Sequence, residues 1–318
     1  MLFTKEVGID LGTANTLIYV KGEGIVLNEP SVVSLDAETK KCLAVGQDAK
    51  EMLGRTPGRV SAIRPLKDGV IADFEVTELM LEHFIRKLKL KGMFSRPTIL
   101  ICCPSNITSV ERNAIRDAAY RCGAKRVYIE EEPKVAAIGA GLDIGGGTTD
   151  VAILSLGEIV TSTSLKIAGD KLDRDLIKYV KESYKLLIGD RTAEEIKKRI
   201  GTAWRGSRSD SMDVSGRDLV TGLPHTITLN SEETELAMRE SLQDVVRACR
   251  TVLEQTPPEL SADIVSRGVV LTGGGALLQG IDQLLINELN VPVYVAENAL
   301  SCVAEGTGVM LENLHLVR

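Results

Sequence analysis

Aromatic residues and cysteine motifs are both scarce in this sequence of 318 residues. Phe, Trp and Tyr together make up only 3% of the chain. The cysteines form no C-x-x-C pair and have no histidine nearby at a spacing suited to zinc. We therefore expect no zinc site and interpret the cysteines as reduced, buried thiols of a cytosolic protein. They are Cys42, Cys102, Cys103, Cys122, Cys249 and Cys302.

Long apolar runs and basic clusters are also lacking. No window approaches the roughly 18 uninterrupted apolar residues of a membrane-spanning helix. The N-terminus has no basic segment followed by a long apolar one, so we expect neither secretion nor a membrane span. The net charge of -6 is spread along the chain rather than collected in blocks. No long basic face indicates nucleic acid as a partner.

Two common nucleotide-binding motifs are missing as well. The sequence contains no G-x-x-x-x-G-K-[ST] and no G-x-G-x-x-G behind a predicted strand. A P-loop NTPase and a dinucleotide-binding fold are therefore unsupported. Any nucleotide must be held by a different kind of loop.

Apolar segments alternate with amphipathic ones along the chain, which is typical of an α/β fold. Helices are predicted from Glu75 to Leu90 and from Ser109 to Arg121, the second behind a capping box of Thr108 and Glu111. The segments with strand character are TLIYV, SVVSL, PTILICCP, VYIE, DVAILSL and RGVVLTGGG.

Two further helices are predicted in the second half of the chain. A capping box of Thr192 and Glu195 indicates the start of one helix. Asn230 or Ser231 precedes a second, long helix, which the prolines at 257 and 258 end. The two helices predicted in the first half, Glu75–Leu90 and Ser109–Arg121, are amphipathic and would cover a sheet.

One short pattern occurs twice in the sequence. VGIDLGT is followed by TLIYV near residue 10, and LDIGGGTT is followed by VAILSL near residue 145. Each copy reads as an aspartate, a glycine-rich turn and a strand, so we predict a duplicated domain. In each turn, glycines let backbone N–H groups approach a ligand and threonines add hydroxyl donors. These donors suit phosphate, and the aspartates suit a divalent cation that bridges it.

A third glycine cluster, LTGGGALLQG, is predicted to end a strand and open a helix near residue 273. Backbone amides at such a helix start favour an anionic or polar ligand. Any one of the three clusters is more often only a tight turn. Taken together, they predict loops that enclose one nucleotide.

With these motifs the sequence resembles the actin, Hsp70 and sugar kinase superfamily, and within it the bacterial MreB/Mbl family of rod-shape proteins. The resemblance covers nearly the whole chain. The segments that carry it are GIDLGTANTLIYVKGEGIVLNEPSVV, AIRPLKDGVIADFEVTE, ICCPSNITSVERNAIRDAAYRCGAKRVYIEEEPKVAAIGAG, DIGGGTTDVA, YKLLIGDRTAEEIK, GRDLVTGLP, TPPELSADI, GVVLTGGGALL and GTGVMLEN.

The resemblance implies a site for ATP and Mg²⁺. Its residues are those at positions that match the family's motifs. Asp10 and Asp143 would hold the cation, directly or through water. The first phosphate loop matches Gly12, Thr13, Ala14 and Asn15, and the second matches Gly145, Gly146, Gly147 and Thr148. The nucleoside would be contacted by Glu194, Lys197, Gly273, Gly274, Gly275 and Ala276.

The resemblance also implies slow ATP hydrolysis, with Glu132, Asp143 and Thr149 as catalytic residues. Glu132, in EEEPKVAA, matches the acidic residue beside the attacking water, which it would polarise. The residues themselves leave an alternative open. Acidic side chains ahead of Pro133 are also favoured simply because they begin a helix.

One segment departs from the family pattern. An apparent helix in AAIGAGLDIGGG runs straight into the second glycine turn, which leaves about two residues for the strand that should precede Asp143. A strand needs roughly 4 to 8 residues. Either the protein is truly shortened here, or about ten residues between Gly141 and Gly145 are missing from the sequence, and we expect the second. In a continuous chain the second phosphate loop would be displaced, and ATP binding would come into doubt.

The implied fold is a duplicated RNase H-like α/β protein, with two lobes and four subdomains around a nucleotide cleft. Subdomain IA would comprise residues 1–32, 66–142 and 303–318, and subdomain IB residues 33–65. Subdomain IIA would comprise residues 143–180 and 243–302, and subdomain IIB residues 181–242.

The implied function is an ATP-dependent filament that assembles on the inner membrane face and organises cell-wall synthesis to set rod shape. Its partners would be further copies of itself in paired protofilaments, membrane lipids and cell-wall elongation proteins. A small-molecule kinase or an Hsp70-like ATPase on the same fold are the alternatives. The first would need a sugar-binding insertion, and the second a peptide-binding domain behind LENLHLVR.

A membrane contact is predicted at LKLKGMFSRP, residues 88–97. Met93 and Phe94 follow two lysines at the tip of a connection, where large apolar side chains are unusual, and family members dock on the membrane through an apolar loop at this position. Leu2 and Phe3 would assist if they lie on the same face. The alternative is a hydrophobic cap that packs on the end of its own helix.

Overall fold

The computed structural model describes residues 5–53, 58–88, 96–104, 107–136 and 140–312. The chain forms two compact units, one of Met1–Ala137 with Leu300–Arg318 and one of Ile138–Ala299. No helix within the described ranges is long and apolar enough to cross a membrane.

The first unit is built on a mixed five-stranded sheet with the order β10-β9-β1-β2-β3. Strands β1, β9 and β10 are parallel, whereas β2 and β3 run antiparallel to their neighbours. Its elements up to the unit boundary are β1 (Glu6–Leu11), β2 (Asn15–Val20), β3 (Gly24–Pro30), β4 (Val33–Asp36), β5 (Cys42–Val45), α1 (Gln47–Met52), β6 (Val60–Ile63), β7 (Leu66–Lys67), β8 (Val70–Ile71), α2 (Phe74–Lys87), β9 (Thr98–Cys103), α3 (Ser109–Arg121), β10 (Arg126–Glu131) and α4 (Glu132–Ala136). Strands β4, β5 and β6 form a separate small sheet, and β7 pairs with β8.

Local sequence signals set the helices of this unit. Helix α2 begins behind Asp73, whose carboxylate accepts a hydrogen bond of 3.0 Å from the Val76 N–H. Helix α3 begins at the predicted capping box, in which Thr108 and Glu111 bond each other's backbone amides. Both predicted helices are thereby confirmed, although α2 ends at Lys87 rather than Leu90.

The second unit repeats the sheet of the first. Its order is β13-β12-β11-β17-β18, with two antiparallel and then two parallel pairings, as in the first unit. The elements are β11 (Ala140–Ile144), β12 (Thr149–Ser155), β13 (Glu158–Leu165), α5 (Gly169–Tyr184), β14 (Leu186–Leu187), α6 (Asp190–Ile200), β15 (Ser211–Asp218), β16 (Pro224–Asn230), α7 (Ser231–Glu254), α8 (Pro258–Arg267), β17 (Val269–Thr272), α9 (Ile281–Leu289) and β18 (Val293–Val295). Strands β14, β15 and β16 form a small sheet. The duplication predicted from the repeated motif is therefore confirmed.

The strand ahead of the second glycine turn is present, contrary to the prediction. Strand β11 pairs without a break from Ala140 to Ile144, antiparallel to β12 and parallel to β17. The hypothesis of missing residues between Gly141 and Gly145 is therefore wrong. The displacement of the second turn that was expected for a continuous chain is wrong too, because β11 and β12 pair in the same register as β1 and β2. The residues GLDI, which have no strand pattern of their own, are extended because two neighbouring strands supply hydrogen-bond partners.

Two further predictions for this unit had different outcomes. Asn230 caps α7 in a capping box with Glu233, and the helix ends before the two prolines, as predicted. The capping box of Thr192 and Glu195 is wrong, because α6 already begins at Asp190 behind Gly189 and Thr192 lies inside the helix.

The chain ends in α10 (Cys302–Glu312), which belongs to the first unit and packs on β1 and α4. Helices α4 and α10 cover the face of the sheet that carries Leu100 and Cys102, while α2 and α3 cover the opposite face. All six cysteines are free, as predicted. Burial was predicted for all of them and is wrong for three, since Cys42, Cys122 and Cys302 are only half-buried.

Candidate functional site

The first glycine turn joins β1 to β2, and Ser31, which lies beyond the turn, forms hydrogen bonds with it. The Ser31 hydroxyl donates to the Gly12 carbonyl at 2.7 Å, and the Ser31 N–H donates to the Ala14 carbonyl at 2.9 Å. The same hydroxyl lies 2.9 Å from the Thr16 hydroxyl. Ser31 thus fixes the loop of residues 12–15, which was predicted to bind phosphate. Sequence reasoning missed this residue because it lies beyond the turn, behind β3.

Two carboxylates of the first unit lie beside one buried thiol. Asp10 on β1 is in register with Cys102 on β9, and Glu132 begins α4 directly behind β10. Burial raises the pKa of the Cys102 thiol well above its ordinary value, and the negative charges of Asp10 and Glu132 add to the rise. Asp10 and Glu132 therefore lie close to the same point on the α4 face of the sheet.

The burial of Glu132 distinguishes it from its acidic neighbours. Its side chain is only 7% exposed, whereas Glu130 and Glu131 are half-buried. Glu131 lies 3.8 Å from the Arg112 guanidinium, which is a local ion pair. Glu132 also begins a helix with Pro133 in second position, so the helix-start interpretation holds too. A helix start by itself does not require a buried carboxylate, because a solvated one serves equally well.

The second glycine turn rests on the start of α5. The Gly169 N–H donates to the Gly145 carbonyl at 3.2 Å, and the Asp170 N–H donates to the Gly146 carbonyl at 2.8 Å. The Thr149 hydroxyl donates to the Ile167 carbonyl at 2.6 Å, so its proton already has an acceptor within the protein. The turn is thereby fixed at three points.

Asp143, directly ahead of this turn, carries an unpartnered oxygen. Its side chain is 8% exposed, and Oδ1 has no hydrogen-bond partner among the described protein atoms. Burial first, and then the charge of Asp150 across the strand pair, raise the pKa of Asp143 to about 7, while a hydrogen bond from Thr272 lowers it. An ionised carboxylate is costly here unless a cation lies beside it, so Asp143 fits a role as a metal ligand.

The described residues contain no group of three or more His, Cys, Asp and Glu side chains arranged to hold a metal ion. Within the described part of the chain, side chains of these four types would therefore not complete the coordination of a cation at Asp143. Mg²⁺ in nucleotide sites commonly uses one or two carboxylates, with phosphate oxygens and water completing the shell.

Lys197 of α6 contacts the start of α5, on which the second turn rests. Its ammonium donates to the Gly169 carbonyl at 2.8 Å and lies 2.9 Å from Asp173 Oδ1. Burial raises the pKa of Asp173, and the Lys197 charge opposes that rise. Glu194 pairs instead with Lys198 at 2.6 Å. No spacing rule links Asp173 to Lys197, and sequence reasoning missed Asp173.

The third glycine cluster lies against Asp143 and Ile144. Gly273 has φ +78°, and a Cβ placed on it would lie 2.3 Å from Asp143 Oδ1 and 2.4 Å from the Ile144 carbonyl. The cluster ends β17 and opens a helix, as predicted, but this helix is a short 3-10 helix, Gly274–Leu277. The α-helix α9 begins only at Ile281. The second unit thus brings together the second turn, Lys197 and the residues 273–276.

Four predicted membrane residues fall outside the part of the chain that the structure describes. They are Met93, Phe94, Leu2 and Phe3.

A sequence model of the family described as MreB/Mbl protein matches residues 4–318. The chain belongs to the MreB/Mbl family. Two of its relatives illustrate the similarity. The cell shape-determining protein Mbl of Bacillus subtilis (strain 168) is 62% identical, over 98% of this chain and 97% of that protein. The cell shape-determining protein MreB of Escherichia coli (strain K12) is 52% identical, over 99% and 95%.

Two solved structures are similar to this chain in fold. MreB 5 of Spiroplasma citri, bound to AMPPNP, superposes with a TM-score of 0.94 at 38% identity, over 100% of this chain and 98% of that chain. The MamK double helical filament gives a TM-score of 0.86 at 21% identity, over 98% and 99%, which shows the fold alone. This MreB/Mbl chain therefore has the duplicated actin-like α/β fold that the sequence predicted. The finer division into four subdomains stays a prediction.

Proposed function

We propose that this chain is a cytoskeletal protein that binds ATP, assembles into filaments and determines cell shape. The repeated turn carries the proposal, because each unit presents a turn that contains glycine and threonine, with an aspartate, Asp10 or Asp143, near the end of the preceding strand. Relatives named as cell shape-determining proteins support the role. A relative from Spiroplasma citri has been solved with AMPPNP and with ADP, which supports nucleotide binding.

In this proposal, backbone amides of residues 12–15 in the first unit bind phosphate, and so do those of residues 145–148 in the second unit. Asp10 of the first unit and Asp143 of the second, with its unpartnered Oδ1, are the carboxylates proposed for Mg²⁺. The cation would supply positive charge that offsets the phosphates. Lys197, held by Asp173 and the Gly169 carbonyl, keeps a further positive charge beside the second loop. Glu194, residues 273–275 and Ala276 are proposed to contact the nucleoside.

Hydrolysis in this proposal is an in-line attack of water on the γ-phosphorus. Glu132 polarises the water and takes up its proton while the bond from the γ-phosphorus to the bridging oxygen breaks, so ADP leaves as phosphate forms. Loop amides stabilise the charge on the transferring group. The Thr149 hydroxyl, whose proton the Ile167 carbonyl accepts, would contribute only as an acceptor or by fixing the loop.

Sedimentation tests the assembly part of the proposal. With Mg²⁺ and ATP we expect the protein to pellet at high speed and to show filaments by electron microscopy, because a head-to-tail contact that does not close produces an open polymer. With EDTA and no nucleotide it should stay in the supernatant. A chain that binds ATP yet stays monomeric by light scattering, at high concentration and on lipid, would contradict filament formation and favour a kinase.

We further propose that the filament lies on the inner membrane face, where cell-wall elongation proteins are its partners. Met93 and Phe94 would insert into the lipid, and burial of such side chains contributes roughly 1.5 to 3 kcal/mol each. One subunit would bind weakly, but a filament repeats the contact and gains avidity. Leu2 and Phe3 would add to the same surface.

Replacing Met93 and Phe94 with serine should reduce co-sedimentation with anionic liposomes to background while ATP binding survives, because the lipid-inserting side chains are gone. A matched control replaces two exposed apolar residues of the β15–β16 hairpin, Val220→Ser and Leu223→Ser, which are 81% and 65% exposed. Lipid binding that persists in the Met93 and Phe94 variant, at equal filament content and moderate salt, would refute this membrane contact.

A further inference from the structure

Helix α10 packs against both elements that carry the candidate carboxylates of the first unit. It contacts β1, which carries Asp10, and α4, which begins with Glu132. Buried apolar side chains of β9, α4 and α10 form one cluster on this face of the sheet. The place of Glu132 relative to Asp10 therefore depends on where α10 lies.

Two glycines allow α10 to approach these elements closely. A Cβ on Gly8 of β1 would lie 1.8 Å from Thr307 Oγ1 of α10. A Cβ on Gly306 of α10 would lie 2.2 Å from the carbonyl oxygen of Val135 in α4, and 2.9 Å from its carbonyl carbon. Thr307 is fully buried, and its hydroxyl donates to the Ala304 carbonyl at 2.6 Å. Helix α10 thus lies directly between β1 and α4.

The fold of α10 by itself does not account for glycine at position 306. The φ angle of Gly306 is not positive, so another residue could adopt this backbone conformation. Glycine in the interior of a helix is less favourable than alanine. The contact with α4 accounts for it, because any side chain at this position would meet the Val135 backbone.

This contact affects Glu132 because α4 is only five residues long, Glu132–Ala136. Val135 lies about one helical turn after Glu132. A backbone carbonyl cannot rotate aside as the end of a side chain can, and close-packed interiors transmit such a displacement. A group at position 306 would therefore move α4, and Glu132 with it.

We propose that Gly306 is a positioning residue for hydrolysis, because the close approach of α10 to Val135 holds Glu132 in its place beside Asp10. The inference rests on the role of Glu132 proposed above. Gly306 acts through Glu132 and lies outside the loops proposed to bind ATP. A displacement of about 1 Å at a reacting group is enough to slow a reaction strongly.

Gly306→Ala adds one methyl group against the Val135 carbonyl. Single-turnover phosphate release should slow about 10- to 100-fold, since Glu132 is displaced. Equilibrium affinity for ATP should stay within about twofold of the parent value, because the change acts on the transition state. Gly308→Ala is the matched control in the same helix. A Cβ there would lie 2.5 Å from the Tyr19 ring, which is a side chain that can move, so the rate should stay near that of the parent.

A double-mutant cycle with Glu132→Gln separates positioning from a general loss of structure. If Gly306 acts through Glu132, Gly306→Ala should slow phosphate release little further in the Glu132→Gln background. Equal slowing in both backgrounds would overturn the inference, and so would a parent rate in folded Gly306→Ala protein. A parent rate in Glu132→Gln alone would instead contradict the proposed role of Glu132.

A crystal structure of Gly306→Ala without nucleotide gives a readout that does not depend on activity. We expect the Val135 carbonyl to lie further from α10, with Glu132 displaced in the same direction. An unmoved α4, with α10 shifted away from β1 instead, would contradict the inference.

Val135→Ala tests the same contact if Gly306→Ala does not fold. The Val135 side chain is 4% exposed, and its Cγ1 would lie 3.1 Å from a Cβ on Gly306. Trimming it loosens α4 against α10, so phosphate release should slow about threefold to tenfold. This slowing should also disappear in the Glu132→Gln background, and its persistence there would refute the inference.

Discussion

Glu132→Gln is expected to slow phosphate release from ATP by about 100-fold or more, because the variant cannot take a proton from the attacking water. Affinity for ATP should change by less than about twofold, since an interaction used only in the transition state does not contribute to substrate binding. Glu132 is buried at the start of α4, near Asp10 and the Cys102 thiol. Single-turnover phosphate release and equilibrium ATP binding measure the two quantities separately.

Two further variants make this test specific. Glu130→Gln changes the same chemical group two residues earlier, on a half-buried position of β10, and should leave phosphate release near the parent rate. Asp10→Ala should instead weaken Mg²⁺-dependent ATP binding, because a proposed cation ligand is removed. If Glu132→Gln lowers only the melting temperature and phosphate release is normal, then the residue merely begins α4.

Gly273→Ala is expected to weaken ATP binding by about 10- to 100-fold and to lower the free energy of unfolding by ~1–3 kcal/mol, the cost of a residue held in a backbone region that only glycine adopts readily. Gly273 has φ +78° and ψ 172°. The added methyl would also lie 2.3 Å from Asp143 Oδ1, so the third glycine cluster or Asp143 must move. Nucleotide titration and chemical denaturation measure the two effects.

Gly222→Ala is the matched control for this variant. Gly222 also has a positive φ, +75°, but a Cβ on it would meet nothing within 4 Å, and it lies in the hairpin between β15 and β16. It should lose some stability and keep normal ATP affinity. Equal ATP affinities in the two variants would mean that residues 273–276 do not form part of the nucleotide site.

Local features of this MreB/Mbl chain could be predicted from the sequence because their chemistry spans only a few residues. The capping box of Thr108 and Glu111 needs two side chains one turn apart, and the structure contains it. The repeated aspartate and glycine turn predicted the duplicated sheet for the same reason. Thr192 shows the limit of such patterns, since a capping box in sequence can lie inside a helix that begins earlier.

Contacts between residues far apart in sequence were decided by the tertiary structure alone. Strand β11 is extended because β12 and β17 flank it, although its own residues carry no strand pattern. Ser31 holds the first turn, and Asp173 holds Lys197. Strand register places Asp150 opposite Asp143, whereas it places Leu17 opposite Asp10. Register depends on how whole strands pack and pair, so the sequence determined which chemical groups are available and the tertiary structure determined which of them meet.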